Sequence, residues 1–284
     1  MRNEDRLGAS LEENNRSHSS SKLPLPQTNN IFDFPVPTEF VELPSGGEYY
    51  LEGHPLHGVD KIEIKMMTAK EEDILLNQNY IKSGVVVDKL LKSVVMDHKI
   101  NLDDLLVGDK NALLFATRVS GLGSDYYAAV GCPQCGSSAE EEFDLSVFKT
   151  REITIPENVE KTDSHTFMVT LPASKLSVEF RLLDGKAEKV VESTLAKRKK
   201  HKLPLNRLAV MLQQMIVSVN GVDNKIQINQ LIEKLPAKDV RYLRKSYEAV
   251  SPDLDLSYTH VCGSCDKEQE VMLPMTADFF WSNR

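Results

Sequence analysis

Four cysteines, and only four, occur among the 284 residues of this chain, and they form two Cys-x-x-Cys pairs, Cys132/Cys135 and Cys262/Cys265. Two residues between cysteines let the chain curl until both sulfurs face one point, and Gly136 and Gly263 are expected to permit the tight backbone. Two such pairs facing each other supply the tetrahedral set of four thiolates that zinc prefers in closed structural sites. Thiolates do not suit magnesium or calcium, which want oxygen. The expectation is one structural Zn2+ held by Cys132, Cys135, Cys262 and Cys265. The rival chemistry is a redox dithiol, which usually sits at a helix N-terminus where the thiol pKa falls. Both pairs here follow extended, alternating runs and precede others, so strands rather than helix starts are expected around them. Two separate sites, iron–sulfur ligation and unliganded thiols stay open. His260, two residues before Cys262, could replace a sulfur and is read as an ordinary strand residue.

The elements that must position these sulfurs follow from the flanking patterns. Tyr126–Val130 and Glu141–Leu145 read as strands around the first pair, and 255–261 and Gln269–Leu273 around the second. This is a zinc-ribbon hairpin written twice, with 126 residues between Cys135 and Cys262. A local finger closes within about 15–20 residues, so a metal here would clamp the base of a long excursion and offset its loop-closure entropy. The fold class expected is α+β: a helical N-terminal region, then a split zinc ribbon with a long α/β insertion between its halves. The divisions are a disordered arm at 1–37, a small strand plus helical region at 38–124, the first knuckle at 125–150, a strand-then-helical insertion at 151–254, and the second knuckle with an aromatic tail at 255–284.

Within these divisions, 1–30 is polar and without apolar period. Phe40–Leu43 and Lys61–Met66 read as strands around a turn at Pro44–Gly47. Thr68 and Glu71 form a capping-box signature on a helix running to about Tyr80. Val87, Leu90, Leu91, Val94 and Val95 make one helical face. A capped turn is expected at 101–105 and a helix over 110–120, stopped by Gly121 and Gly123. Strands are expected at 153–156 and within 165–183, and helices at 185–200, 205–217, 229–234 and 237–250.

The chain carries a net charge of −8, which disfavours general nucleic-acid or anionic-membrane binding. It has no apolar run long enough for a membrane span, and its polar start is no signal peptide. A cytosolic setting is expected. The basic run Lys197–Lys202 reads as a solvated helix end complementing the dipole, with an acidic protein partner as the next choice. Gly121-Leu122-Gly123-Ser124 lacks the context of a phosphate loop. No catalytic grouping stands out, and the chain is read as non-enzymatic. Phe279-Phe280-Trp281 is either packed on the body or an anchor for a partner.

Taken together, Leu43-Pro44-Ser45-Gly46-Gly47, the run Ile62–Leu75, the run Asp103–Ala112 and Cys132-Pro133-Gln134-Cys135-Gly136 resemble the baseplate hub proteins of T-even-type contractile-tailed bacteriophages. The resemblance is specific over about 38–150 and looser through Leu235–Asp239 and the second knuckle. It implies a subunit of the tail baseplate hub, or a hub-assembly chaperone, acting through protein–protein contacts. The implied partners are other hub proteins or the tape-measure protein, with homo-oligomerisation open. The implied setting is the host cytoplasm during assembly, with the virion tail baseplate as the alternative. A different class of function, a zinc-ribbon protein binding nucleic acid or transcription machinery, would show salt-dependent nucleic-acid binding. A thiol oxidoreductase would show a low-pKa thiol and reductase activity.

Overall fold

The computed structural model describes residues 34–273 and 277–281. The chain divides into units Met1–Pro35 and Val36–Arg284. The expected disordered arm at 1–37 therefore lies mostly outside the described residues; Phe34 and Pro35 are exposed. Every element below belongs to the second unit, a mixed α/β fold.

Pro37 is tied to the body, since its carbonyl accepts from the Met66 amide at 2.9 Å. β1 (Thr38–Glu42) and β2 (Lys61–Lys65) pair antiparallel, and Ile62 and Ile64 alternate inward as the sequence pattern requires. The loop between them turns through Gly47, whose φ is +75° and where a Cβ would lie 2.4 Å from the Val59 nitrogen. α1 (Ala69–Leu76) opens with the Thr68/Glu71 capping box. It is shorter than expected because Asn77 caps a separate helix, α2 (Gln78–Ser83), by accepting from the Asn79 and Tyr80 amides. α3 (Val86–Val94) buries Val86, Leu90, Leu91 and Val94 on one face. A single 3-10 turn (Leu102–Asp104) leads to α4 (Val107–Leu122), which Gly123 stops at φ +88°.

β3 (Asp125–Gly131) and β4 (Ser138–Asp144) then form an antiparallel hairpin. β5 (Lys149–Thr150) begins the excursion. β6 (Val159–Lys161), β7 (Phe167–Thr170) and β8 (Ser177–Phe180) follow in order. α5 (Gly185–Lys200) and α6 (Arg207–Met215) lead into β9 (Ile216–Val219), which completes an antiparallel sheet of order β6-β7-β8-β9. α7 (Lys225–Ile232) and α8 (Ala237–Val250) come next, and Leu243 and Val250 of α8 are fully buried. β10 (Leu254–Asp255) returns antiparallel to β5, setting Thr150 opposite Leu254. Arg151 reinforces this junction through the carbonyls of Glu248 (2.8 Å) and Ser251 (2.5 Å). β11 (Ser257–Val261) and β12 (Glu268–Met272) form the last hairpin, and a 3-10 turn covers Ala277–Phe280.

Two expectations fail inside the excursion. Residues 153–156 carry no strand; Pro156 supplies no ladder donor and ends the run. The helix expected over 205–217 stops at Met215, because Ile216, Ser218 and Val219 are buried as a strand against β8. Short β-branched runs serve a helix end and a buried strand alike, and the adjacent sheet decides.

Candidate metal centre

The two hairpins bring all four sulfurs together. Every pair of Sγ atoms among Cys132, Cys135, Cys262 and Cys265 lies within 4.8 Å, with Cys132–Cys265 at 3.8 Å and Cys135–Cys262 at 3.7 Å. A tetrahedron with metal–sulfur bonds of ~2.3 Å has edges of about 3.8 Å, so the cluster is capable of holding a metal ion of zinc's size. All four are free thiols, with Cys132 and Cys262 buried and Cys135 exposed.

The knuckles are built the same way. In the first, the Cys132 amide donates to the Ser137 carbonyl (2.7 Å) and the Gly136 amide to the Cys132 carbonyl (2.8 Å). In the second, the Cys262 amide donates to the Lys267 carbonyl (3.0 Å) and the Asp266 amide to the Cys262 carbonyl (2.8 Å). The left-handed residue of each turn is therefore Gly136 (φ +73°) and Asp266 (φ +55°). Gly263, expected to supply that freedom, has no positive φ; the position equivalent to Gly136 is Asp266, a residue type that tolerates this region better than most. Neither pair opens a helix, so the helix dipole of reactive dithiols is missing here.

Ser137 had no signal in the sequence, yet it bridges the knuckles. Its Oγ lies 3.0 Å from Cys135 Sγ and 3.3 Å from Cys262 Sγ. The Ser264 amide also points at Cys262 Sγ, at 3.4 Å. These donors, Ser137 first, push the Cys262 thiol down to about 5. At Cys265 the Lys267 amide favours the thiolate, but burial and the thiols of Cys262, Cys135 and Cys132 outweigh it and push this group up to about 12. Sulfurs packed this closely cannot all carry charge unaided, and a bound dication removes that conflict.

Packing fixes the hairpins against each other. Phe143 of β4 meets Tyr258 of β11 edge-on, with ring centroids 4.7 Å apart. His260 is buried, with its Nδ1 2.5 Å from Glu141 Oε1. It is thus a contact between the hairpins. The aromatic tail is packed on the body: Phe279 stacks on Phe115 and meets Tyr126 edge-on at 5.2 Å. The buried Arg118 donates to the carbonyls of Phe279 (3.1 Å), Gly123 (2.5 Å) and Asp125 (2.9 Å). Phe279 and Phe280 are buried and unavailable as a partner's anchor.

A second polar cluster, unforeseen in the sequence, holds the β1–β2 loop to α4. Asp109 is fully buried and accepts from the Ser45 amide (2.9 Å), the Ser45 hydroxyl (2.6 Å) and the Tyr50 hydroxyl (2.5 Å). Tyr50 Oη in turn accepts from the Leu106 amide at 3.0 Å. Burial pushes the Asp109 carboxyl up despite these donors, and burial likewise pushes up the Tyr50 phenol. The preceding Gly108 seats the excursion's base: a Cβ there would lie 1.8 Å from the Pro252 carbonyl oxygen. Glu71, read as half of a capping box, is also fully buried, bonded to Lys65 (2.8 Å), Thr68 and Ser93. Burial pushes its carboxyl up, but Lys65, Ser93 and Thr68 outweigh that and hold it down at about 2.

Fold and site thus define a mixed α/β protein whose distant ends converge on four thiols able to hold a metal. Its polar clusters at Asp109 and Glu71 are engaged with the chain's own groups. The chain matches the T4 bacteriophage base plate protein family over residues 36–281, and it belongs to that family. The family is structural, not enzymatic, and membership implies protein–protein contacts within tail assembly and association with the virion tail. No curated protein and no solved structure matches the chain. Among the described residues no helix is long and apolar enough to cross a membrane.

Proposed function

We propose that this chain is a non-enzymatic subunit of the base plate hub, or a factor that assembles that hub, clamped by one structural zinc ion. Family membership over 36–281 carries the reading. Cys132, Cys135, Cys262 and Cys265 are the ligands, and the sulfur separations near 3.8 Å support zinc. In this reading the β3–β4 and β11–β12 hairpins are the halves of a split ribbon, and 151–254 is its insertion. The metal ties the chain on either side of that insertion and keeps the surfaces offered to other subunits in register. The partners are other hub proteins or the tape-measure protein, met in the host cytoplasm during assembly.

Elemental analysis of purified protein is expected to find one zinc per chain, and none after Cys132→Ser with Cys262→Ser. Pull-down from infected cells is expected to recover hub or tail proteins; recovery of neither overturns the hub role. Mass spectrometry of purified virions then separates the two forms, since a subunit is retained in the particle and an assembly factor is lost. Nucleic-acid binding is not expected of an acidic chain, and a flat gel-shift titration checks that.

A further inference from the structure

The tip between α5 and α6 departs from the rest of the surface. Residues 199–208 are exposed without interruption. Among them Leu203, Leu205 and Leu208 are 54%, 49% and 41% accessible. Around them stand Lys197, Arg198, Lys199, Lys200, Lys202 and Arg207, and no acidic residue occurs between Glu192 and Asp223. Removing these six cations from a chain of net charge −8 leaves −14 on the remainder. The tip is an ordered turn. The Leu203 amide donates to the Arg198 carbonyl (2.9 Å), and Arg198 Nη1 donates to the Pro204 carbonyl (3.1 Å). Lys202 and Asn206 hold left-handed backbone at φ +54° and +44°, a conformation that costs free energy in a non-glycine residue. The turn sets three exposed leucines beside the cations of the α5 C-terminal turn, an apolar and cationic combination that a solvated helix end alone does not call for.

Complementary chemistry lies on the last hairpin. The inner face of β11–β12, with Tyr258, His260, Gln269 and Val271, turns towards the body. Among the described residues its outer face is unpartnered: Val261 is 60% and Met272 63% accessible, and Glu268 and Glu270 are exposed beside them. Val261 sits opposite Glu268 and Thr259 opposite Glu270 in the ladder, so the apolar and acidic groups share one face. This face offers apolar and anionic groups where the tip offers apolar and cationic ones.

We propose that the α5–α6 tip of one copy docks on the outer face of the β11–β12 hairpin of a second copy. The leucines would meet Val261 and Met272, and the lysines would meet Glu268 and Glu270. Because two different surfaces meet, the contact is head-to-tail and builds a ring or an open chain. It uses the hairpin's outer face and not the sulfurs, so metal content measured on the same samples separates its failure from that of the zinc reading.

The test is sedimentation of the full chain over a concentration series at low and high salt. The expected result is self-association that weakens as salt rises. Lys197→Glu with Lys199→Glu and Lys200→Glu should weaken it by at least about tenfold, and so should Glu268→Lys with Glu270→Lys. Each charge-reversed protein should keep its metal content and circular dichroism. An equimolar mixture of the two should associate again, because the reversed charges then face each other. A wild-type monomer at every concentration overturns the proposal, as does association that both reversals leave unchanged or a mixture that fails to recover. Binding of the monomeric protein to phosphatidylserine vesicles or to duplex DNA, lost with the tip reversal, assigns the tip to another occupant and overturns it too.

Discussion

The cysteine cluster and the Asp109 cluster do the same mechanical job by opposite means. Each joins segments far apart in the chain: Cys135 to Cys262 across 127 positions, and Asp109 to Ser45 across 64. The sulfur cluster is partly open to solvent, and charge on its thiols is mutually opposed, a conflict that a bound cation would relieve. The Asp109 cluster is buried, with each carboxylate oxygen met by donors from its own chain. Under the zinc proposal one clamp is conditional on a metal and the other is not. In the proposed reading, the two-clamp arrangement would let the region around α4 stand without metal while the hairpins would depend on it.

Removing the metal is the strongest way to break that comparison. Chelation, or Cys262→Ser, is expected to cost at least about 4 kcal/mol and lower Tm by roughly 8–16 °C. Hydrogen exchange should accelerate in β3–β4 and β11–β12 while the Leu106 amide stays protected. Equal loss of protection at both clamps would merge them into one unit. Asp109→Ala removes the acceptor for three donors and is expected to cost about 2–4 kcal/mol by chemical denaturation, with zinc content unchanged. Gly108→Ala drives a methyl into the Pro252 carbonyl and is expected to cost about 1–3 kcal/mol; a neutral result would mean that α4 and the 252–253 segment slide apart freely.

Much of the sulfur clamp's geometry was legible because cysteine is rare here and falls only in two Cys-x-x-Cys pairs. Four residues at a fixed spacing, each flanked by alternating runs, leave few ways to fold. Asp109 was illegible for the converse reason. An acid in a helix's first turn is ordinary and reads as a complement to the dipole, and nothing local says that Ser45 and Tyr50 will close over it. The resemblance had nevertheless singled out both of its sides, Leu43–Gly47 and Asp103–Ala112, and Asp109 explains why two such distant stretches belong together. Ser137 and the left-handed Asp266 were missed because turn geometry depends on the partner hairpin's register as well as on residue type. Strand β9 was absorbed into a helix because four residues beside a helix end carry too little period to separate.

Smaller effects sharpen the contrast between buried carboxylates. Glu71 has a cation at hand, whereas among the described residues no ion pair joins Asp109, and their carboxyls shift in opposite directions. Glu71 titrates at about 2 in the folded chain against an ordinary 4.5, so its stabilisation is complete above 4.5 and is lost as pH falls towards 2. Asp109, shifted upward, destabilises the fold when charged, and its contribution improves as pH falls through its folded pKa. Tm measured from pH 6 down to 2 is expected to fall less steeply in Glu71→Gln than in the wild type, and more steeply in Asp109→Asn. The smallest effect expected is for Asp266→Gly, which relieves left-handed strain in the second knuckle. A gain of about 0.5 kcal/mol is expected, and no gain would mean that Asp266 makes up its strain elsewhere.

The separation of the two cysteine pairs also sets a clock. A ribosome adding roughly 5–20 residues per second needs about 6–25 s to travel from Cys135 to Cys262. During that interval, under the zinc proposal, the nascent chain carries half a binding site, two thiols with no counterpart yet made. A stalled chain ending before Cys262 is expected to hold zinc far more weakly than the full-length protein. The ion would then be captured last, as the act that closes the molecule after the excursion has been synthesised.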